Sequence, residues 1–128
     1  MALTEDQRTF NELSTGVYTA TLLDETGAAV ALASLDSLKL TLLDLATDTV
    51  INSRDRQNVL NVNNVVFHAT SGLLTWTIQQ EDNVIVTAAT TDDASEKHLA
   101  IFEAVWSTTK RQNHRVELYV KQIGHLTE

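Results

Sequence analysis

Four histidines, seventeen acidic residues and no cysteine bound the chemistry that this chain could carry. The histidines are His68, His98, His114 and His125, and no two of them stand at i, i+4 or in an HExxH-like pattern. A zinc site of that kind needs such spacing to aim two imidazoles from one helix face. None of the four is paired with a nearby carboxylate in a known ligand spacing, so we read them as surface or strand-end histidines. His98 shares parity with Ala100, Phe102 and Ala104, which puts it near the start of a strand. The acidic groups Asp24-Glu25, Asp44 with Asp48, and Asp92-Asp93 with Glu96 match no EF-hand loop. Calcium takes about 6–8 oxygens, which these spacings do not assemble, so turn formation and solubility are their expected roles. The lack of cysteine removes disulfides, thiolate zinc ligands and thiol nucleophiles together. Serine and threonine are plentiful, yet no GxSxG elbow occurs. With four glycines in the chain there is no phosphate-cradling loop. The expectation is a protein without catalysis, cofactor or metal.

The elements that would have to position any such group read as strands. Tyr18, Ala20 and Leu22 alternate with Val17, Thr19 and Thr21, and Leu38, Leu40 and Leu42 alternate with Lys39 and Thr41. Leu74, Trp76 and Ile78 alternate with Thr75 and Thr77, and Val116, Leu118 and Val120 alternate with Glu117, Tyr119 and Lys121. A period of two puts one face in a core and the other in water. Residues 99–106 are apolar on both faces except at Glu103, the pattern of a central or covered strand. Shorter strands are expected at residues 49–52, 65–70 and 84–87. Asp24-Glu25-Thr26-Gly27 reads as a turn, Asn63-Asn64 tolerates the left-handed region, and Ser71-Gly72 divides a hairpin. Residues 90–97 read as an exposed acidic loop. Thr4 with Gln7 makes a capping-box pattern, so residues 4–13 form a short helix candidate with Phe10 and Leu13 as its apolar edge. Arg56 to Leu60 could add one helical turn.

A chain of 128 residues with 43% hydrophobic and 20% charged side chains suits one folded domain. The layout expected is an N-terminal arm at 1–15, a sandwich at 16–123 and a tail at 124–128. Seven to eight short strands point to an all-β, immunoglobulin-like antiparallel β-sandwich, with an up-and-down barrel as the alternative. The net charge of −8 repels phosphate backbones and anionic lipid, so neither nucleic acid nor a membrane surface is an expected partner. No apolar run approaches the ~20 residues of a membrane helix, and the first residues do not read as a signal peptide.

Surface candidates follow from exceptions to the pattern. Leu99, Ile101 and Val105 make the outward face of their strand more apolar than an exposed strand should be, as if the N-terminal segment or another chain covers it. Arg54-Asp55-Arg56-Gln57 is a compact charged cluster in the longest middle loop, either paired locally or facing a neighbouring subunit. Trp76 and Trp106 read as core anchors, with sugar-stacking platforms as the alternative.

The runs Gly16-Val17-Tyr18-Thr19-Ala20-Thr21-Leu22-Leu23-Asp24, Leu38-Lys39-Leu40-Thr41-Leu42-Leu43-Asp44 and Ile51-Asn52-Ser53-Arg54-Asp55-Arg56-Gln57-Asn58-Val59-Leu60-Asn61 carry a family likeness. So do Leu74-Thr75-Trp76-Thr77-Ile78-Gln79-Gln80-Glu81-Asp82-Asn83 and Ala100-Ile101-Phe102-Glu103-Ala104-Val105-Trp106. Together, over residues 16–123, the chain resembles small immunoglobulin-like structural proteins of tailed-bacteriophage virions. The resemblance implies a non-enzymatic neck or tail component, assembled in the bacterial cytoplasm, whose partners are other virion proteins and copies of itself. It further implies that residues 1–15 order on a neighbour, with Phe10 and Leu13 seeking an apolar landing site. A capsid decoration protein and a host-surface or carbohydrate-binding module are the alternatives.

Overall fold

The computed structural model describes residues 4–86 and 95–121, and with them two β-sheets packed face to face. The strands are β1 (Thr4–Asn11), β2 (Gly16–Thr21), β3 (Leu35–Asp44), β4 (Thr49–Val50), β5 (Gln57–Asn58), β6 (Val65–Phe67), β7 (Leu73–Ile78), β8 (Ser95–Trp106) and β9 (Lys110–Lys121). The larger sheet runs β1-β9-β8-β3-β4, with β5 also paired to β3, and the smaller runs β2-β7-β6. Opposing a three-strand β2-β7-β6 sheet to β3-β8-β9 is the connectivity of immunoglobulin-like sandwiches. All pairings are antiparallel except β1 on β9, which is parallel.

The alternation read from the sequence becomes the two layers of the core. Leu38, Leu40 and Leu42 of β3, Phe102 and Ala104 of β8, and Val116 and Leu118 of β9 face Tyr18, Leu74, Trp76 and Ile78 of the smaller sheet. Burying each large apolar side chain contributes about 1.5–3 kcal/mol, so this seam is the main source of stability. Its centre is aromatic. Tyr18 stacks on Phe102 with ring centroids 6.5 Å apart, and Trp76 meets Phe102 edge-on at 5.6 Å. These rings join the sheets without the disulfide that antibody-type domains place there.

Local turn chemistry agrees with the layers. Asp24 Oδ1 accepts from the backbone N–H groups of Thr26 and Ala28, and Gly27 takes a φ of +87°. Ser71-Gly72 turns β6 into β7, with Gly72 at φ +73° and its Cα packed so closely that a Cβ would lie 2.5 Å from the Leu22 carbonyl oxygen.

The N-terminal segment departs from expectation. Residues 4–11 are strand β1 rather than helix or free arm, paired in register from Thr4 on His114 to Asn11 on Lys121. A helix with two apolar residues is marginal alone, whereas the open edge of β9 offers a ladder of backbone partners. Arg56 to Leu60 likewise forms no helical turn; Gln57–Asn58 pairs with β3 as β5. Val84, Ile85 and Val86 lie outside any strand, and Thr87, the last residue of the expected 84–87 strand, is beyond the described residues. The expected loop at 90–97 is outside them to residue 94, after which Ser95 opens β8.

Candidate interaction surfaces and a buried polar cluster

Each sequence-derived candidate now has a place. Phe10 points inward from β1, is half-buried against the core, and lies over Gly16 so tightly that a Cβ there would be 2.5 Å from its ring. Leu13 is half-buried, and its backbone N–H donates to the Asn83 carbonyl at 2.8 Å. Phe10 therefore lands on its own domain, and Leu13 is tied to that domain through its backbone.

Arg54 is corrected outright as a contact residue, because its side chain is 2% exposed. Its Nε donates to Asp82 Oδ1 at 2.6 Å and its Nη2 to Asp82 Oδ2 at 3.2 Å. Nη1 reaches Gln57 Oε1 at 2.8 Å and the Asn63 carbonyl at 3.1 Å, while Nη2 also reaches Asn64 Oδ1 at 3.0 Å. The guanidinium lies 5.7 Å from the Trp76 ring centroid. Asp82 in turn accepts from the Asn52 amide and from the Gln79 backbone N–H, at 2.9 and 2.8 Å. A buried charge pair is tolerated only when its remaining donors and acceptors are met in this way. Asp55 and Arg56 stay exposed; Arg56 Nε lies 3.3 Å from Glu103 Oε1.

Strand β1 does not cover the outward face of β8, because it extends the sheet at β9 instead. Leu99 is nonetheless 5% exposed, flanked in register by Leu43 and Glu117, whereas Ile101 and Val105 are half-buried. Only the last two could meet a partner directly. A stronger candidate is the outer face of the smaller sheet, which the sequence reading passed over. It presents Val17, Thr19 and Thr21 of β2, Leu73, Thr75 and Thr77 of β7, and Val66 of β6, with no charged side chain. Val17 and Val66 are 61% and 63% exposed. Outward Val and Thr both look like ordinary strand alternation in one dimension, so only the assembled sheet reveals the uncharged face.

Two further polar groups have buried members. At one end of the sandwich, Asp44 closes β3 and pairs in register with His98 of β8, and Glu96 precedes His98 by two residues on the same face. His98 Nε2 lies 2.6 Å from Glu96 Oε1 and 3.8 Å from Asp44 Oδ1. Asp44 Oδ2 accepts from the Thr47 backbone N–H and hydroxyl at 3.1 and 2.7 Å, and Glu96 Oε1 from the Val86 N–H at 2.7 Å. Asp44 Oδ1 and His98 Nδ1 are buried without a hydrogen-bond partner. His98 thus stands near the strand start that its parity predicts, but as a buried member of an acidic cluster and not as a surface residue. The second group joins the layers at the β1 edge. The Tyr18 hydroxyl bonds to His114 Nε2 and donates to Asp6 Oδ2 at 3.2 Å, and Arg8 Nη1 donates to Asp6 Oδ1 at 2.7 Å. Burial, reinforced by Asp6, pushes the Tyr18 phenol well above its ordinary range. Burial also holds the His114 imidazole below its usual value.

Among the described residues no helix is long and apolar enough to cross a membrane. Trp76 is 0% and Trp106 5% exposed, so neither offers a face to a sugar. Comparison of the sequence with protein-family models and with curated proteins finds no match.

Proposed function

We propose that the chain is a non-enzymatic structural component of a tailed-phage virion, a neck or tail module that works through protein–protein contacts as a homo-oligomer. The observation that carries this reading is the uncharged outer face of β2-β7-β6, on a chain whose net charge is −8. An acidic molecule keeps copies of itself apart by repulsion, so a charge-free Val/Thr face is where two such molecules meet at least electrostatic cost. The resemblance of residues 16–123 to virion modules points the same way, and a capsid decoration protein would use the same face on a different substructure. The carbohydrate-binding alternative loses its main support with both tryptophans buried.

Mass-resolved sizing of the purified chain, alone and with the products of neighbouring genes, tests the proposal. A defined oligomer or stable complex is expected, and a Val17→Asp, Val66→Asp double variant should abolish it while keeping the β-sheet circular dichroism. A wild-type monomer that joins none of its neighbours would overturn the proposal.

A further inference from the structure

We propose that Asp44, Glu96 and His98 form a binding site for a divalent transition-metal ion, with zinc as the reference ion. The proposal stands independently of the virion reading. Three donor atoms, Asp44 Oδ1, Glu96 Oε1 and His98 Nε2, all lie within 4.8 Å of one another. Asp44 Oδ1 is the telling atom. It is fully buried, has no hydrogen-bond partner, and faces His98 Nε2 across 3.8 Å. A buried carboxylate oxygen without a partner is costly, and here it is aimed at a second ligand type.

Charge and geometry both favour a cation. Two carboxylates and one imidazole carry a formal charge of −2 with His98 neutral, or −1 with it protonated, and a dication beside a neutral imidazole cancels the charge of the trio. Metal–ligand bonds of about 2.0–2.1 Å in a tetrahedral shell put donor atoms roughly 3.3 Å apart. The observed separations of 2.6 and 3.8 Å bracket that value, so small side-chain rotations open the shell. The backbone supplies the arrangement without strain, because residues two apart on one strand share a face and a register partner lies beside them. Thr47 orients Asp44, and the Val86 N–H orients Glu96, as second partners of ligating carboxylates do. Imidazole selects zinc, copper, iron or nickel over calcium and magnesium. Three protein ligands leave the fourth position to water. Such an ion would tie the β3–β4 turn to the start of β8.

The test uses the full chain, stripped with a chelator and then titrated with cobalt(II). The expected result is a one-to-one rise of the visible bands of four-coordinate cobalt, displaced by zinc. Asp44→Asn and His98→Gln should each lose these bands while keeping the wild-type circular dichroism. The unfolding midpoint of the wild type should also rise by roughly 5 °C or more in excess zinc. Absence of both the bands and the rise in the wild type would overturn the proposal. Bands of equal strength in both variants would overturn it too, since the metal would then sit on other residues.

Discussion

Among the described residues, charge is buried in two places that are treated oppositely. Around Arg54 and Asp82, one positive and one negative group cancel, and each side chain has further polar partners in Asn52, Gln57, the Asn63 carbonyl, Asn64 and the Gln79 N–H. Around His98, two carboxylates meet a single imidazole, and Asp44 Oδ1 and His98 Nδ1 lack partners. The first cluster is a closed structural device: it pins the irregular 51–64 segment to the short turn that follows β7. The second has acceptor capacity left over in a place where water is largely excluded. Equal burial therefore does not mean equal role; the difference lies in whether the polar atoms are satisfied.

Breaking the closed cluster should have the largest effect. Arg54→Met leaves Asp82 buried and unpaired, and a loss of about 3–5 kcal/mol is expected in urea unfolding. Replacing both partners, Arg54→Met with Asp82→Leu, should give a protein more stable than the single Arg54 variant, because the orphaned charge disappears. The open cluster should respond much less. In the presence of chelator, Asp44→Asn should change stability by about 1 kcal/mol or less, since the residue gives up an unpartnered oxygen and the amide oxygen can still accept from Thr47.

The Tyr18–His114 group sharpens the contrast through pH. Burial depresses the His114 value in the fold, so the unfolded chain takes up a proton from about pH 6.5 downward while the folded chain resists. Its contribution to stability is complete above that value and is lost as pH falls through the lowered folded value. Urea midpoints measured from pH 7.5 to 5 should decline in the wild type, and His114→Gln should show a shallower decline. The smallest effect is expected at Ile101→Lys on the half-buried outer face of β8, within about 0.5 kcal/mol. A large loss there would make that face core.

The layers were legible because alternation is a local signal. The burial of β3 follows Leu38, Leu40 and Leu42, as the spacing predicts. Strand β1 was hidden because Thr4–Asn11 is polar on most positions, and what makes it a strand is the edge of β9, more than a hundred residues away. Arg54 reads as a surface charge in one dimension, since Asp82, which neutralises it, stands 28 residues on. The open cluster left one trace: Glu96 and His98 share parity at a strand start. Its third member, Asp44, joins only when β3 pairs with β8. Sequence reasoning saw Asp44 and Glu96 as separate acidic turns and so missed the site.

Thermal unfolding of the wild type and Asp44→Asn, each in chelator and in excess zinc, tests the contrast between the closed and open clusters most directly. The account predicts a midpoint rise of roughly 5 °C or more for the wild type and none for the variant. An unchanged wild-type midpoint, or an equal rise in both proteins, would contradict it.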